Sequence, residues 1–155
     1  MASYEVVNNV AVITCQNPPV NQLSFNLRKG LITGLSQALS DKNVIAIVII
    51  ADGRTFIAGA DIKEFANGMA FKMPLTDFIK QLDNSSKPVI AAIHGTALGG
   101  GFEVALCCHY RLGTSRCKVG LPEVLIGLLP GAGGTQRLPR LVGPMIAADM
   151  ICTGK

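Results

Sequence analysis

Several short segments of the chain carry the hydrophobic spacing of β-strands. Residues 4–7 and 10–15 alternate apolar and polar side chains around Asn8-Asn9, a pair typical of a two-residue hairpin turn. Residues 44–51 and 89–93 are continuous apolar runs rich in β-branched side chains, which predict strands buried on both faces. A short strand follows at 110–113, residues 119–123 form another short strand and turn, and residues 128–134 are strand-like and then glycine-rich.

Between these strands the apolar spacing changes to that of helices. Leucines recur every four residues from Leu27 to Leu39, which predicts a helix that Ser24 can cap. Gly30 and Gly34 weaken this helix locally, and close packing against a sheet would explain them. Further helices are expected at 61–65, 74–83, 102–108, 136–141 (broken at Pro139) and 144–151, with a mobile segment at 67–73. Strands that alternate with helices place the fold in the α/β class.

The composition is that of a well-buried domain. A length of 155 residues suits one domain with a substantial core. Only 15% of the residues are charged and 49% are hydrophobic, so apolar surface is either buried in a sheet or covered by another chain or segment. The net charge of +4 is mild and its cations are scattered, and the chain has no Trp, which argues against nucleic-acid binding. No apolar run has the length of a membrane span and no secretory signal is visible, so neither membrane insertion nor secretion is expected.

Cysteine and histidine do not form the patterns of a metal or nucleophile site. The five cysteines lack Cys-x-x-Cys spacing, which favours buried thiols in a reducing compartment over a disulfide framework or a zinc site. His94 and His109 each border a predicted strand, and structural roles are favoured for both.

One stretch, residues 87–123, concentrates the candidate chemistry. An apolar strand runs into glycines at 95–101 and then into Glu103, and Glu123 follows a proline. Glycines let a backbone approach a ligand closely, and two carboxylates can divide acid and base work. Neither these glycines nor those at 131–135 have the order of a dinucleotide or P-loop phosphate motif. Whether the two carboxylates form one site stays open at this level.

A second candidate lies before the helix predicted at 61–65. Asp61 can cap that helix, which leaves Gly59 and Ala60 just ahead of it. Amides at a helix entrance carry partial positive charge, so they suit an oxyanion or a phosphate. An ordinary strand-to-helix turn explains the same residues, and the local pattern alone favours that explanation.

Four segments together resemble the crotonase (enoyl-CoA hydratase/isomerase) superfamily. They are Asn17-Pro-Pro-Val-Asn-Gln-Leu, Phe56-Ile-Ala-Gly-Ala-Asp-Ile-Lys-Glu-Phe, residues 87–103, and residues 120–138, which begin Gly-Leu-Pro-Glu and end Pro-Gly-Ala-Gly-Gly-Thr-Gln-Arg-Leu. The variants Asn-Pro-Pro-Val-Asn, Cys-His-Tyr-Arg and Gly-Leu-Pro-Glu are most similar to the N-terminal hydratase part of peroxisomal bifunctional enzymes and of bacterial multifunctional fatty-acid oxidation proteins. The resemblance implies a spiral of β-β-α turns.

The resemblance also implies a set of site residues. The positions of Ala60 and Gly100 match two backbone amides that polarise the thioester carbonyl in this family. Glu103 and Glu123 match the two glutamates of the hydratases, with Glu103 assigned as base and water positioner and Glu123 as proton donor to the α-carbon. Relatives that only shift a double bond often keep just the second glutamate, so Glu103 favours hydration and Glu123 leaves isomerisation open.

Coenzyme A is expected along loops 18–22 and 58–63, as a part of the substrate rather than as a separate cofactor. By resemblance its contacts involve Val20, Ala58, Asp61 and Ile62, and no metal is implied. Lys63 could attract a phosphate, and a solvated lysine is an equally good explanation.

The family pattern sets expectations for the whole chain as well. Residues 1–155 are expected to form one hydratase/isomerase core domain, truncated before the C-terminal helices of the family. A C-terminal dehydrogenase part or partners in a homo-oligomer are then expected to complete it. The expected location is the peroxisome in a eukaryote and the cytoplasm otherwise.

Three functional hypotheses follow from the resemblance. The first is hydration of a trans-2-enoyl-CoA to the 3-hydroxyacyl-CoA, as in fatty-acid β-oxidation. The second is a truncated, non-catalytic chain that binds acyl-CoA or interacts with other subunits. The third is a different acyl-CoA reaction, such as Δ3-Δ2 isomerisation or thioester hydrolysis.

Overall fold

The computed structural model describes residues 1–66 and 68–155 and is built on a five-stranded β-sheet. Its strands, in spatial order, are β1 (Ala2–Val7), β2 (Val10–Cys15), β3 (Ala46–Ala51), β4 (Val89–Ile93) and β6 (Tyr110–Gly113). The first pair is antiparallel and the other pairs are parallel. A second, two-stranded parallel sheet consists of β5 (Thr96–Leu98) and β7 (Lys118–Gly120). The predicted α/β class is therefore confirmed.

Helices connect the strands, as the change of hydrophobic period predicts. The described helices are α1 (Phe25–Ser40), α2 (Ile62–Ala66), α3 (Met69–Lys72), α4 (Leu75–Asp83), α5 (Gly100–Cys107), a 3-10 helix (Pro122–Ile126), α6 (Gly134–Val142) and α7 (Pro144–Thr153). Position 67, in the segment expected to be mobile, lies outside the described residues. Among those described, no helix has both the length and the apolar character needed to cross a membrane.

The N-terminal hairpin and α1 form as their sequences predict. Asn8 and Asn9 both have positive φ, at 49° and 64°, as a tight two-residue turn between strands requires. The Ser24 hydroxyl accepts the N–H of Leu27 at 3.4 Å and so caps α1. A Cβ at Gly30 would lie 2.8 Å from the backbone nitrogen of Ala2. Close packing of helix on sheet therefore explains this glycine.

The core lies between the main sheet and the helices on one of its faces. In β3, Ile47 and Ile49 are fully buried, whereas the alternate residues Val48 and Ile50 stay partly exposed. Leu27, Leu31 and Leu35 of α1 cover the buried side with no exposed area of their own. The prediction that β3 and β4 are buried on both faces was wrong, because the described helices cover one face fully and leave the other only partly covered.

Two further local predictions differ from the structure. Residues 128–133 form no strand, and they lead as a loop into α6. Pro139 was expected to break that helix, but α6 continues through it to Val142. A proline removes one helical N–H, and the Pro139 carbonyl still accepts the N–H of Gly143 at 3.0 Å. Loss of a single donor in a nine-residue helix is thus tolerated.

Candidate active site

The smaller sheet and the segments beside it bring distant parts of the chain together. Backbone hydrogen bonds join residues 20–23 to residues 57–60, and residues 57–60 in turn to residues 96–98. A further backbone hydrogen bond joins Gly99 to Gly120. In this way Leu23 pairs with Ala60, and Ile57 pairs with Ala97 in strand β5. Four segments that are far apart in sequence therefore lie side by side, and the candidate residues lie at their ends.

The two turns that carry Ala60 and Gly100 are in contact. A Cβ at Gly100 would lie 4.0 Å from the backbone nitrogen of Ala60 and 3.1 Å from the Leu75 side chain. The glycines that precede both residues, Gly59 and Gly99, have positive φ of 114° and 50°, a conformation that favours glycine. Within the described residues, no turn or loop hydrogen bond uses the N–H of Ala60 or Gly100. The Gly100 turn thus lies beside the backbone nitrogen of Ala60.

Glu103 lies in the first turn of α5 and is almost completely buried, with 3% of its surface exposed. Its Oε1 accepts two backbone N–H groups, from Ala132 at 2.7 Å and from Gly134 at 2.8 Å. Burial raises the pKa of this carboxyl, and the two backbone hydrogen bonds and the charge of Arg137 partly oppose the rise. Glu103 is consequently a fixed, buried carboxylate with a raised pKa.

Glu123 lies in the 3-10 helix, and its carboxyl group reaches the Gly99 turn directly before α5. A Cβ at Gly99 would lie 3.0 Å from its Oε1, and its Oε2 is buried without a hydrogen-bond partner among the described residues. Burial raises the pKa of Glu123, and the negative charge of Glu103 raises it further, against a hydrogen bond from its own backbone. The two carboxylates are therefore close enough for the charge of Glu103 to act on Glu123.

The glycine-rich segment 131–135 turns out to bind a carboxylate of the protein itself. Its amides, from Ala132 and Gly134, hold Glu103. A Cβ at Gly134 would lie 3.1 Å from the Glu103 oxygen, so a small residue is needed there. Neither the comparison with phosphate loops nor the family resemblance predicts these two donors to Glu103. The run of glycines at the start of a helix was the available signal.

Of the residues expected near coenzyme A, Val20 and Ala58 join two loops, whereas Asp61 and Ile62 lie at the start of helix α2. The N–H of Ala58 donates to the carbonyl of Val20 at 3.1 Å, so loops 18–22 and 58–63 are adjacent as expected. A cavity of about 280 Å³ lies beside the first loop. Asp61 accepts the N–H of Lys63 at 3.1 Å with its own side chain. Ile62 is 59% exposed at the entrance of α2.

Three of the five thiols are buried as expected, whereas Cys117 is partly buried and Cys152 is exposed, and both imidazoles contact backbone groups. Cys15, Cys107 and Cys108 are buried free thiols, and burial raises the pKa of each to about 12. His109 accepts the backbone N–H of Val89 at 3.0 Å, and a His94 ring nitrogen is 3.0 Å from the carbonyl of Gly53. Among the residues that the structure describes, no group of His, Cys, Asp and Glu is arranged to hold a metal ion.

Comparison with known proteins identifies relatives of this chain. The chain is 51% identical over 156 residues to a peroxisomal bifunctional enzyme of Danio rerio, covering all of this chain and 22% of that protein. It is 45% identical over 152 residues to a probable enoyl-CoA hydratase of Bacillus subtilis (strain 168), covering 94% of this chain and 59% of the relative. The chain thus spans about a fifth of the bifunctional relative and three fifths of the bacterial one.

Solved structures and a family model give the same result. The crystal structure of an enoyl-CoA hydratase from Bacillus anthracis matches with a TM-score of 0.91 and 36% identity, over 99% of this chain and 63% of that one. The fold is therefore that of the crotonase-type enzymes. The model of the enoyl-CoA hydratase/isomerase family matches residues 5–155. The chain belongs to the enoyl-CoA hydratase/isomerase family.

Proposed function

We propose that this chain carries the catalytic core of an enoyl-CoA hydratase, which adds water to a trans-2-enoyl-CoA to give the 3-hydroxyacyl-CoA. The observation that carries the proposal is the pair of carboxylates, Glu103 and Glu123, each with a raised pKa, beside two adjacent small-residue turns. Relatives named as enoyl-CoA hydratase and peroxisomal bifunctional enzyme support the substrate class and the reaction.

The turns at Ala60 and Gly100 are proposed to bind the thioester oxygen. Addition to an enoyl thioester moves negative charge onto this oxygen, and two N–H donors aimed at it stabilise that charge. Removal of one such donor typically costs about 3 to 4 kcal/mol of transition-state stabilisation. Since the donors belong to the backbone, the residues around them must be small enough to admit the thioester.

The two carboxylates divide the proton transfers. Glu103, ionised, takes a proton from water as the water oxygen bonds to C3 and the double-bond electrons shift toward the thioester oxygen. Glu123, protonated, then gives a proton to C2 as the carbonyl reforms. A proton transfer from Glu103 back to Glu123, directly or through solvent, restores both groups. The mutual repulsion of two neighbouring carboxylates favours this state with one proton between them.

Loops 18–22 and 58–63 are proposed to hold the coenzyme A part of the substrate. The Val20–Ala58 hydrogen bond supports this because it joins the two loops into one surface. The names of the relatives from Danio rerio and Arabidopsis thaliana support a peroxisomal location if the chain is eukaryotic. They also support a longer protein or further subunits as the partners of this core.

Double-bond isomerisation from Δ3 to Δ2 is the second candidate activity. It needs one group that carries a proton between two carbons of the substrate. Oε2 of Glu123 is buried and has no hydrogen-bond partner in the described part of the chain, which suits that role, whereas Oε1 of Glu103 is held by two amides.

The test is hydration of crotonyl-CoA by the complete gene product that contains this chain. Glu103→Gln and Glu123→Gln should each lower kcat by about 100- to 10,000-fold, because each removes one proton transfer. Glu5→Gln, which changes an exposed glutamate of β1, is the matched control and should keep the wild-type rate.

Near wild-type hydration in either active-site variant would contradict the assignment. Binding of the CoA ester without turnover by the wild-type protein would favour the non-catalytic hypothesis. Isomerisation that survives Glu103→Gln but not Glu123→Gln would support the second activity.

A further inference from the structure

Arg137, on helix α6, connects the end of helix α4 with the loop before α6. Its Nη2 donates to both carboxylate oxygens of Asp83, at 2.8 and 2.7 Å. Its Nη1 donates to the carbonyl of Ala132 at 3.4 Å. The guanidinium thus spans the gap from the last residue of α4 to the loop before α6.

The same loop holds the carboxylate of Glu103. The N–H of Ala132 donates to Glu103, and the carbonyl of Ala132 accepts from Arg137. Arg137 therefore holds Ala132 by its carbonyl, and the N–H of the same residue donates to Glu103. A Cβ at Gly133, which has a φ of 98°, would lie 2.0 Å from Arg137 Nη1. Loop and guanidinium are in direct contact, and only glycine leaves room for both.

The charge of Arg137 also acts on Glu103, in addition to the contacts through the loop. The positive charge of Arg137 lowers the pKa of Glu103, against the rise caused by burial. The other titratable groups around Glu103 are Glu123 from the 3-10 helix and Cys107 from its own helix, and Asp83 lies behind Arg137. Arg137 is the one cation whose charge acts on Glu103 among the described residues.

We propose that Arg137, held in place by Asp83, is a positioning residue for Glu103 that keeps the loop amides on the carboxylate. The proposal rests on the proposed hydratase function. A purely stabilising role fits the pair less well, because the side chains of Arg137 and Asp83 are 26% and 47% exposed. Exposed ion pairs contribute little to stability.

The test uses Arg137→Gln in the complete gene product, with crotonyl-CoA as substrate. Misplacement of Glu103 should lower kcat by about 10- to 100-fold, with a much smaller change in KM. Glu103 must be ionised to act as the base, so the acidic limb of the kcat/KM profile reports its pKa. Loss of the neighbouring cation raises that pKa, and the limb should move to higher pH.

Two variants separate charge from geometry. Arg137→Lys keeps the positive charge but loses the two-pronged contact with Asp83. It should keep the wild-type position of the acidic limb while kcat still falls. Asp83→Asn should lower kcat without an upward shift of the limb, and adding it to Arg137→Gln should cause little further loss, because the pair acts as a unit.

Arg140→Gln is the matched control on the same helix. Arg140 donates to the carbonyl of Gln136 at an exposed position, and its removal should leave kcat and the acidic limb unchanged. The proposal is overturned if Arg137→Gln keeps wild-type kcat, or if it lowers kcat without moving the limb. Should Arg137→Gln fail to fold, wild-type kcat in Asp83→Asn would overturn it.

Failure of the proposed function has a different signature. In that case the wild-type protein lacks hydration, or Glu103→Gln retains it. If Glu103→Gln is inactive while the Arg137 and Asp83 variants behave like Arg140→Gln, the hydratase assignment stands and the positioning role is wrong.

Discussion

Glu103 shows at the scale of a single residue how burial and hydrogen bonding compete. Desolvation disfavours its ionised form, and two backbone N–H groups favour that form. Glu123 has one buried oxygen for which the residues that the structure describes supply no such partner, and the charge of Glu103 raises its pKa further. Two identical side chains are thereby placed in different environments, and this difference is what an acid and a base in one site require.

The pH dependence of hydration follows from these two environments. The rate constant kcat/KM should be bell-shaped, rising as Glu103 loses its proton and falling as Glu123 loses its own. Because the pKa of each carboxyl is raised, both limbs should lie at higher pH than for free glutamic acid. Steady-state kinetics across pH with crotonyl-CoA measure this directly. A profile that is flat from acidic to alkaline pH would contradict the acid and base roles.

At the scale of elements, a buried arginine connects helices α1, α2 and α3. Arg28, only 4% exposed, pairs with Glu64 at 2.9 Å and donates to the carbonyls of Met69 and Met73. It also donates to the carbonyl of Leu23, whose segment pairs with Ala60. The helices after Ala60 are in this way attached to the start of α1, so the turn with the proposed oxyanion donor has a fixed support.

Removal of this arginine should be costly. Arg28→Met removes the cation that pairs with Glu64 and the donor to the carbonyls of Leu23 and Met73. Loss of one partner of a buried pair costs about 3 to 5 kcal/mol. Urea unfolding monitored by circular dichroism should show that decrease in the free energy of unfolding. Lys29→Met, at the exposed neighbouring position of α1, serves as control and should change it little. Equal stability of the two variants would mean that the buried pair contributes nothing.

At the scale of the whole molecule, the chain exposes more surface than its mass predicts. Its accessible surface is 8195 Å², whereas a compact monomer of its mass should expose roughly 7,500 Å². Much of the exposed apolar area belongs to the C-terminal apolar surface, which we define by its exposed residues: Val124, Leu125, Ile126, Leu128, Leu129, Leu141, Val142, Met145 and Ile146. Surfaces of this kind usually contact other protein.

The 155-residue chain by itself should therefore self-associate. Analytical ultracentrifugation at micromolar concentration should show species larger than a monomer, and the double variant Leu129→Lys/Met145→Lys should reduce them, since both side chains are strongly exposed. Leu112→Lys changes an equally apolar residue on edge strand β6, 65% exposed, and should reduce association less. Sedimentation of the wild-type chain as a monomer would contradict this prediction.

Much of the fold follows from sequence because its signals are local. The Asn8-Asn9 turn, the Ser24 cap and the leucine spacing of α1 act over a few residues, and the structure confirms each. Burial of a strand on one face or both depends on what packs against it. The prediction for β3 failed for that reason.

The candidate site divides in the same way. Sequence by itself determined the residue types: two small-residue turns, two glutamates and a glycine-rich loop in the order of a known family. Only the tertiary structure decided that Ala60 lies beside Gly100, that the loop amides of Ala132 and Gly134 hold Glu103, and that Arg137 reaches Asp83. These contacts join residues about thirty to fifty positions apart. Such pairs are set by strand order and helix packing, and no local pattern along the chain encodes their distance.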